Sequence, residues 1–472
     1  MTGSGLDLHL DLSADSGGVG RALELALREA VRSGRLAAGA RLPGSRSLAA
    51  DLGMSRGTVV QVYAQLTAEG WLVGTPGSGT RVADLPPCFP ADEPSRRDPH
   101  SPVPGRRQDA TGGLDLRPGR PDLSAFPRTA WASSVRRAVS AADPAAFGYG
   151  DPGGLAELRT VVAEYVSRTR GVRADAGSVV ITAGFSAGLA LLARTFRRLG
   201  AARMAIEDPC LQRHRELVRA AGLRVDPLLV DADGADPSAL GDGGAALLTP
   251  AHQHPRGVVL APRRRTAFVE WARRNDGYLI EDDYDGEFRY DRQPVGAIQA
   301  LAPDRVVFGG TTGKALAPGM RIGWLVVPPA LREPLLDSIE ETSSAVPAVN
   351  QLALADLIAR GDYDRHIRRI RLVYRRRRTE LARRLATVTP TPLEGVSAGL
   401  HALLPVASPE HERNLVTAGE RAGLRLQGLH VSGYWHAPAG RPAALILGYA
   451  TPPPHAWRAS LDLLTGLIRA NG

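Results

Sequence analysis

From Leu114 onward, short apolar runs of strand length alternate with stretches whose apolar residues recur at helical spacing. The candidate strands are Val179–Thr182, Met204–Glu207, Ala246–Thr249, Tyr278–Glu281 and Val306–Gly309. The alternation predicts a layered α/β domain with a mostly parallel sheet. Ligand-binding groups in such sheets gather in the loops at the strand ends. Here those ends run into polar or Gly-rich sequence: TAGFSAG, EDPC, TPAHQHP, EDDYDGEF and GTTGKALAPGMRIGW.

Residues 84–113 cannot belong to that domain or to any core. They are rich in Pro and charge and have no apolar periodicity, as expected of an extended linker. The chain therefore divides into an N-terminal unit (1–83), a linker (84–113) and a large domain (114–472). No apolar run approaches the ~18 residues of a membrane-spanning helix. The acidic start, MTGSGLDLHLDLSAD, lacks the basic and apolar regions of a secretory signal, which points to a cytoplasmic protein. Cys88 and Cys210 are too few and too far apart for a disulfide framework, and no metal site is expected.

The N-terminal unit reads as three helices and a hairpin. Apolar residues at 19, 23, 27 and 31 predict an amphipathic first helix, and SRSLAADL a short second one. After the turn Gly53-Met54, Ser55 is placed to cap a third helix with Val59, Val62, Tyr63 and Leu66 on one face. Helix, tight Gly-containing turn and second helix is the helix-turn-helix pattern. WLVGTPGSGTRV adds two short strands around a Gly-rich turn, the form of a wing. Ser55, Arg56 and Thr58, at the start of the third helix, would meet bases and phosphates in a DNA major groove. Arg46 opens the preceding helix, whose N-terminus favours phosphate.

The run GRLAAGARLPGSRSLAADLGMSRGTVVQVYAQLTAEGWLVGTPGSGTRV resembles the winged helix-turn-helix of GntR-type bacterial regulators throughout. The resemblance implies double-stranded DNA as a partner, contacted by Arg46, Ser55, Arg56 and Thr58, with Gly77 and Ser78 in the wing.

Net charge alone does not carry that inference. Residues 1–83 hold 8 Arg against 7 Asp and Glu. Most of the overall charge of +9 lies further along, including the run HIRRIRLVYRRRR from His366 to Arg378. Its apolar residues Ile367, Ile370 and Tyr374 have helical spacing, which fits a solvated basic helix face.

The chain contains 58 Lys and Arg, and Lys314 is its one lysine. A lysine amine loses its proton when desolvated and attacks a carbonyl; a guanidinium stays protonated and forms no ordinary imine. A lone lysine among arginines thus points to imine chemistry, against the alternative of compositional accident. The imine-held cofactor that suits an α/β domain is pyridoxal 5′-phosphate (PLP), which needs an amine, an acid at its ring nitrogen, a donor at its ring oxygen and a phosphate cup. Asp282, ending the strand YLIED, is placed for the ring nitrogen, and Tyr284 is near enough in sequence for the ring oxygen. Gly184, Phe185 and Ser186 lie at a strand-to-helix junction, where free N–H groups favour a phosphate. Arg321 is placed to close that cup.

Residues 114–472 resemble fold-type I aminotransferases, with a smaller C-terminal α/β subdomain, and the whole chain resembles MocR-type regulators. The matching stretches are LRPGRPDLSAFP, YGDPGGLAELR, EDDYDGEFRYD, GTTGKALAPGMRIGW and GRPAALILGYA. The resemblance implies Lys314 as the imine lysine, Asp282 as the pyridine partner and Tyr284 as the ring-oxygen donor. Thr311, Arg321 and Gly184–Ser186 would form the phosphate cup. Tyr149 would reach the phosphate of a neighbouring subunit, which implies a homodimer with composite sites. Arg441 would bind an effector carboxylate. Three departures concern transamination more than cofactor binding: Cys210-Leu211 replaces a small residue and a stacking aromatic, Gly313 replaces a serine, and His254 replaces an asparagine. The expectation is a dimeric regulator that senses PLP or an amine or amino acid. The alternatives are a PLP-dependent aminotransferase with an accessory DNA-binding unit, and a cofactor-free dimerisation scaffold.

Overall fold

A computed structural model of the chain describes residues 19–75, 79–84, 114–290 and 295–471. They fall into two compact units, one within Met1–Asp109 and one within Ala110–Gly472.

The first unit contains α1 (Val19–Arg32), α2 (Ser45–Asp51), α3 (Arg56–Ala68), β1 (Leu72–Thr75) and β2 (Gly79–Val82). Leu23 and Leu27 of α1, Leu48 of α2 and Val59, Val62, Tyr63 and Leu66 of α3 share one core. The expected apolar stripe of α1 is shifted at its ends. Val19, at the start of the helix, is exposed, while Ala30 is buried and Val31 is partly buried against the core. Ser55 caps α3 by accepting from Thr58 N at 3.1 Å. β1 and β2 pair antiparallel from Leu72↔Val82 to Thr75↔Gly79. Gly77 and Ser78, the wing contacts expected from sequence, lie outside the described residues.

The second unit opens with β3 (Leu114–Asp115), α4 (Arg128–Ala141) and α5 (Ala156–Arg170). Its central portion runs β4 (Val179–Thr182), α6 (Phe185–Arg198), β5 (Arg203–Asp208), α7 (Gln212–Ala220), β6 (Arg224–Asp231), β7 (Gly234–Ala235) and β8 (Ala245–Leu248). It continues through α8 (Pro262–Arg274), β9 (Tyr278–Asp282), β10 (Val306–Thr311), β11 (Gly323–Val326), α9 (Pro329–Thr342), α10 (Ala348–Ala359) and α11 (Asp362–Leu385). The C-terminal part contains β12 (Ala402–Val406), α12 (Pro409–Arg421), β13 (Leu424–Arg425), β14 (Ala443–Leu447) and α13 (Pro454–Asn471).

Eight strands form one sheet in the order β4-β11-β10-β9-β8-β5-β6-β7. All five strands expected from sequence are in it. The pairs β10–β9, β9–β8, β8–β5 and β5–β6 are parallel, while β11 runs antiparallel to both β10 and β4. β4, β8 and β11 bury every residue, which explains their unbroken apolar sequence: helices cover both faces. Smaller pairings, β12–β14 antiparallel and β13–β3 parallel, build the C-terminal portion.

Two glycines bring the sheet edge close enough to form a site. Gly184 has φ 92°, a conformation an L side chain resists, and turns the chain from β4 into α6. A Cβ on Gly323 would lie 2.8 Å from Gly184 Cα, so only glycine lets β11 start against that turn.

Candidate functional site

The loops after β4, β5, β8, β9 and β10 surround a cavity of about 520 Å³ in the large unit. Gly184, Phe185, Ser186, Asp282, Tyr284, Thr311, Lys314 and Arg321 all line it. Residues separated by 137 positions thus converge because parallel strands deliver their C-terminal ends to one edge.

Lys314 follows β10. Its Nζ donates to Gly119 O at 2.5 Å. Burial lowers the proton affinity of its amine; Asp282 and Asp285 oppose that shift and Arg120 adds to it. Asp282, the last residue of β9, is 5% exposed. Its Oδ1 is buried with no hydrogen-bond partner among the described residues. Desolvation pushes this carboxyl well above the usual carboxylate range, against the pull of Lys314. An orphaned carboxyl oxygen of this kind calls for a proton-bearing group inside the cavity, and a protonated pyridine nitrogen fits it.

An anion fits at the other side. Gly184 opens α6, a helix of 14 residues whose N-terminus has no side-chain cap. Its first-turn N–H groups therefore face the cavity end with the positive pole of the helix. Thr311 stands beside them, its Oγ1 3.9 Å from where a Cβ on Gly184 would be. That hydroxyl also accepts from Gly313 N at 3.1 Å. Arg321 follows the short turn Pro318–Met320 with φ 52°, and its exposed guanidinium borders the cavity. The set matches the needs of a phosphate.

Tyr284 lines the cavity, with its hydroxyl 3.0 Å from His252 Nδ1. That nitrogen also lies 2.8 Å from Asp285 Oδ2, so the phenol is held from beneath. Leu211 lines the wall where a stacking aromatic was expected to be missing, together with His214 from α7. His214 is packed against Phe185 at 5.7 Å between ring centroids, and burial, with a smaller effect of Lys314, brings its pKa down to about 4. It is a neutral aromatic surface.

Two expected site residues are elsewhere. The Arg441 guanidinium lies over the Trp435 ring, 5.6 Å from its centroid, and is not among the cavity-lining residues. It precedes β14, all five of whose side chains are buried. Tyr149 also lies off the cavity, fully exposed on the loop before α5.

Several lining residues were not singled out in the sequence. Arg117, Pro118, Gly119 and Arg120 come from the segment after β3, and Gln427 and Tyr434 from the C-terminal portion. Arg120 lies in the quoted stretch LRPGRPDLSAFP, but nothing about its spacing marks it. His254 is 7% exposed, with Nε2 3.3 Å from Tyr434 Oη and Nδ1 without a partner among the described residues. His254, unlike the others, was marked in the sequence as standing where the family resemblance leads one to expect an asparagine. Glu207, at the end of β5, accepts hydrogen bonds from Thr249 Oγ1 and Gln253 Nε2. Burial raises its pKa to about 7.

Fold and site together define a PLP-dependent-transferase-like domain joined to a winged helix-turn-helix. Residues 114–419 match the family of aminotransferase class I and II, and residues 20–82 match the gntR family of bacterial regulatory proteins. The chain is 35% identical over 427 residues to the pyridoxine biosynthesis transcriptional regulator PdxR of Corynebacterium glutamicum, covering 90% of each chain. It is 32% identical over 479 residues to the probable rhizopine catabolism regulatory protein MocR of Rhizobium meliloti, covering 98% of this chain and 96% of that one. An archaeal alanine:glyoxylate aminotransferase structure shares the fold at a TM-score of 0.69 and 21% identity, over 76% of this chain and 92% of that one. The chain belongs to the MocR-type transcriptional regulators, which combine a GntR-type DNA-binding domain with an aminotransferase-like domain. No helix among the described residues is long and apolar enough to cross a membrane.

Proposed function

We propose that this regulator binds PLP in the large-unit cavity and that occupancy of the cavity changes its affinity for operator DNA. The observation that carries the reading is the orphaned Asp282 Oδ1, buried in the same cavity as the desolvated amine of Lys314. In this reading Lys314 holds the cofactor through an imine, Asp282 keeps its ring nitrogen protonated, and the α6 N-terminus, Thr311 and Arg321 hold its phosphate. Bound PLP supplies an electron sink. Tyr284, with His254 5.5 Å away between ring centroids, would donate to the ring oxygen, and Leu211, His214 and Phe185 in the same lining would keep water from it.

The effector is PLP itself or an amine or amino acid that reaches it. A carboxylate on such an effector meets Arg120, which lines the cavity beside Lys314, rather than Arg441 over Trp435. Leu211 in place of a stacking aromatic and Gly313 in place of a serine favour sensing over rapid transamination. Fully exposed Tyr149 suits insertion into a second copy, in support of a homodimer. Arg46, Ser55, Arg56 and Thr58 supply the DNA contacts of the head.

The test is direct. Protein dialysed with PLP is expected to turn yellow, and borohydride reduction followed by peptide mapping should place the label on Lys314. A colourless protein that takes up no PLP would refute the proposal.

A further inference from the structure

The basic run singled out in the sequence lies within α11, whose Ile367, Ile370 and Tyr374 are buried in the core of the large unit. Ten of the 24 residues of this helix are arginine. Six of them are committed to neighbours. Arg377 pairs with buried Asp122 at 3.2 Å, Arg384 with Asp462 at 2.6 Å, and Arg365 with Asp362. Arg369, Arg371 and Arg378 donate to the carbonyls of Ala125, Glu287 and Gly395.

The remaining four, Arg368, Arg375, Arg376 and Arg383, are exposed and make no hydrogen bond or ion pair among the described residues. They are not scattered. Positions 368, 372, 375, 379 and 383 recur at intervals of three and four and so share one helix face, with Arg376 at its margin. Arg375, Arg376, Thr379, Glu380 and Arg383 line one shallow surface depression of about 330 Å³. The carboxylate of Glu380 is turned to Trp457, whose Nε1 donates to it at 2.7 Å. No other acid of α11 lies between Arg368 and Arg383. The stripe thus carries four arginines against the single carboxylate of Glu380 over ~22 Å, at 1.5 Å per residue.

Charge distribution identifies the partner. The DNA-binding unit, residues 1–83, holds 8 Arg against 7 acids, whereas residues 114–472 hold 46 Lys and Arg against 37 Asp and Glu. The excess positive charge of the chain therefore lies in the large unit rather than in the head. A duplex presents one phosphate per ~1.7 Å of its axis, so the length of the stripe matches on the order of a dozen charges. Duplex held by the head is at raised effective concentration for a surface of the same chain that the linker lets reach it. We infer that the Arg368–Arg383 face of α11 is a second DNA-contacting surface, which binds the phosphate backbone of duplex flanking the operator without reading its sequence. This inference rests on the DNA-binding assignment of the family and is independent of PLP.

The experiment uses full-length protein and a variant with Arg368, Arg375, Arg376 and Arg383 all changed to Gln. The probes are the intergenic duplex upstream of its gene and the same duplex trimmed to the footprint of the head. On the long duplex the variant is expected to bind at least tenfold more weakly at moderate salt. Its slope of log affinity against log salt should be shallower by about 3 to 4 per chain, at ~0.9 for each phosphate no longer neutralised. On the trimmed duplex the two proteins should bind alike. An unchanged slope on the long duplex overturns the inference, and so does an equal loss on both duplexes. Loss of binding to phosphatidylserine vesicles with an unchanged DNA slope would reassign the face to a membrane surface and likewise overturn it. The double variant Arg375→Gln, Arg376→Gln should show about half the slope change if the fourfold variant folds poorly, and no change in it would count as refutation.

Discussion

Lys314 Nζ donates to the carbonyl of Gly119 at 2.5 Å, joining the end of β10 to the segment that follows β3. The contact spans 195 positions of sequence and is available only while the amine carries a hydrogen to donate along that line. Under the proposed function, capture of the amine by an aldehyde would compete with this contact, which ties Lys314 to the segment carrying Arg117 and Arg120.

Burial depresses the Lys314 amine, so its reactive neutral form is reached at lower pH than in a free lysine. The rate of PLP uptake, followed by absorbance, should rise with pH and reach its midpoint below the ordinary lysine value of about 10.4. Lys314→Arg should abolish the chromophore while leaving the protein folded, because the guanidinium keeps the charge and loses the chemistry. A midpoint at the free-lysine value would contradict the desolvation argument.

Glu207 titrates at about 7, raised from 4.5 by burial. A carboxyl with a raised folded-state pKa stabilises fully below its unfolded value and loses that contribution as pH rises through about 7. Glu207→Gln should therefore gain stability over the native protein between pH 5 and pH 8, by on the order of 1–3 kcal/mol. Urea denaturation at the two pH values reads the difference; parallel curves for both proteins would rule the effect out.

Arg170 and Asp283 form a buried two-pronged pair, with both N–O distances at 2.7 Å. Arg170→Ala leaves the Asp283 carboxylate without this partner and should cost about 3–5 kcal/mol. Thermal denaturation tests this. A loss under about 1 kcal/mol would show that the carboxylate, raised by burial, simply takes up a proton.

In the DNA-binding unit, Ser55→Ala removes the α3 cap and should cost about 0.5–2 kcal/mol. Arg56→Ala leaves that cap intact and is expected to abolish binding to the promoter region with no change in the visible spectrum of the large unit. Gel-shift and absorbance measurements on the same preparation separate the two effects. Unchanged DNA affinity would place the recognition surface elsewhere.

The sequence by itself determined the elements and the chemistry that depends on residue type. Apolar runs at Val179, Met204, Ala246, Tyr278 and Val306 became strands of one sheet, because segments buried on both faces are predominantly apolar, with acids such as Glu207 and Asp282 only at the strand ends. The single lysine, the acid ending β9 and the glycine turn before α6 were recognisable because each does something that other residue types cannot. The tertiary structure decided which of these groups face one another. It placed Arg441 over Trp435 and Arg120 at the cavity, a choice no spacing along the chain encodes. It also brought His214 and His254 to the cavity wall, supplying the neutral aromatic surface that Leu211 by itself had left open. The same holds for α11: the sequence showed a basic helix, while packing determined which six arginines were satisfied and which four remained exposed. The physical reason is common to these cases. Residue type fixes what a side chain is able to do, but desolvation and partnership depend on segments distant in sequence that only the packed sheet brings together.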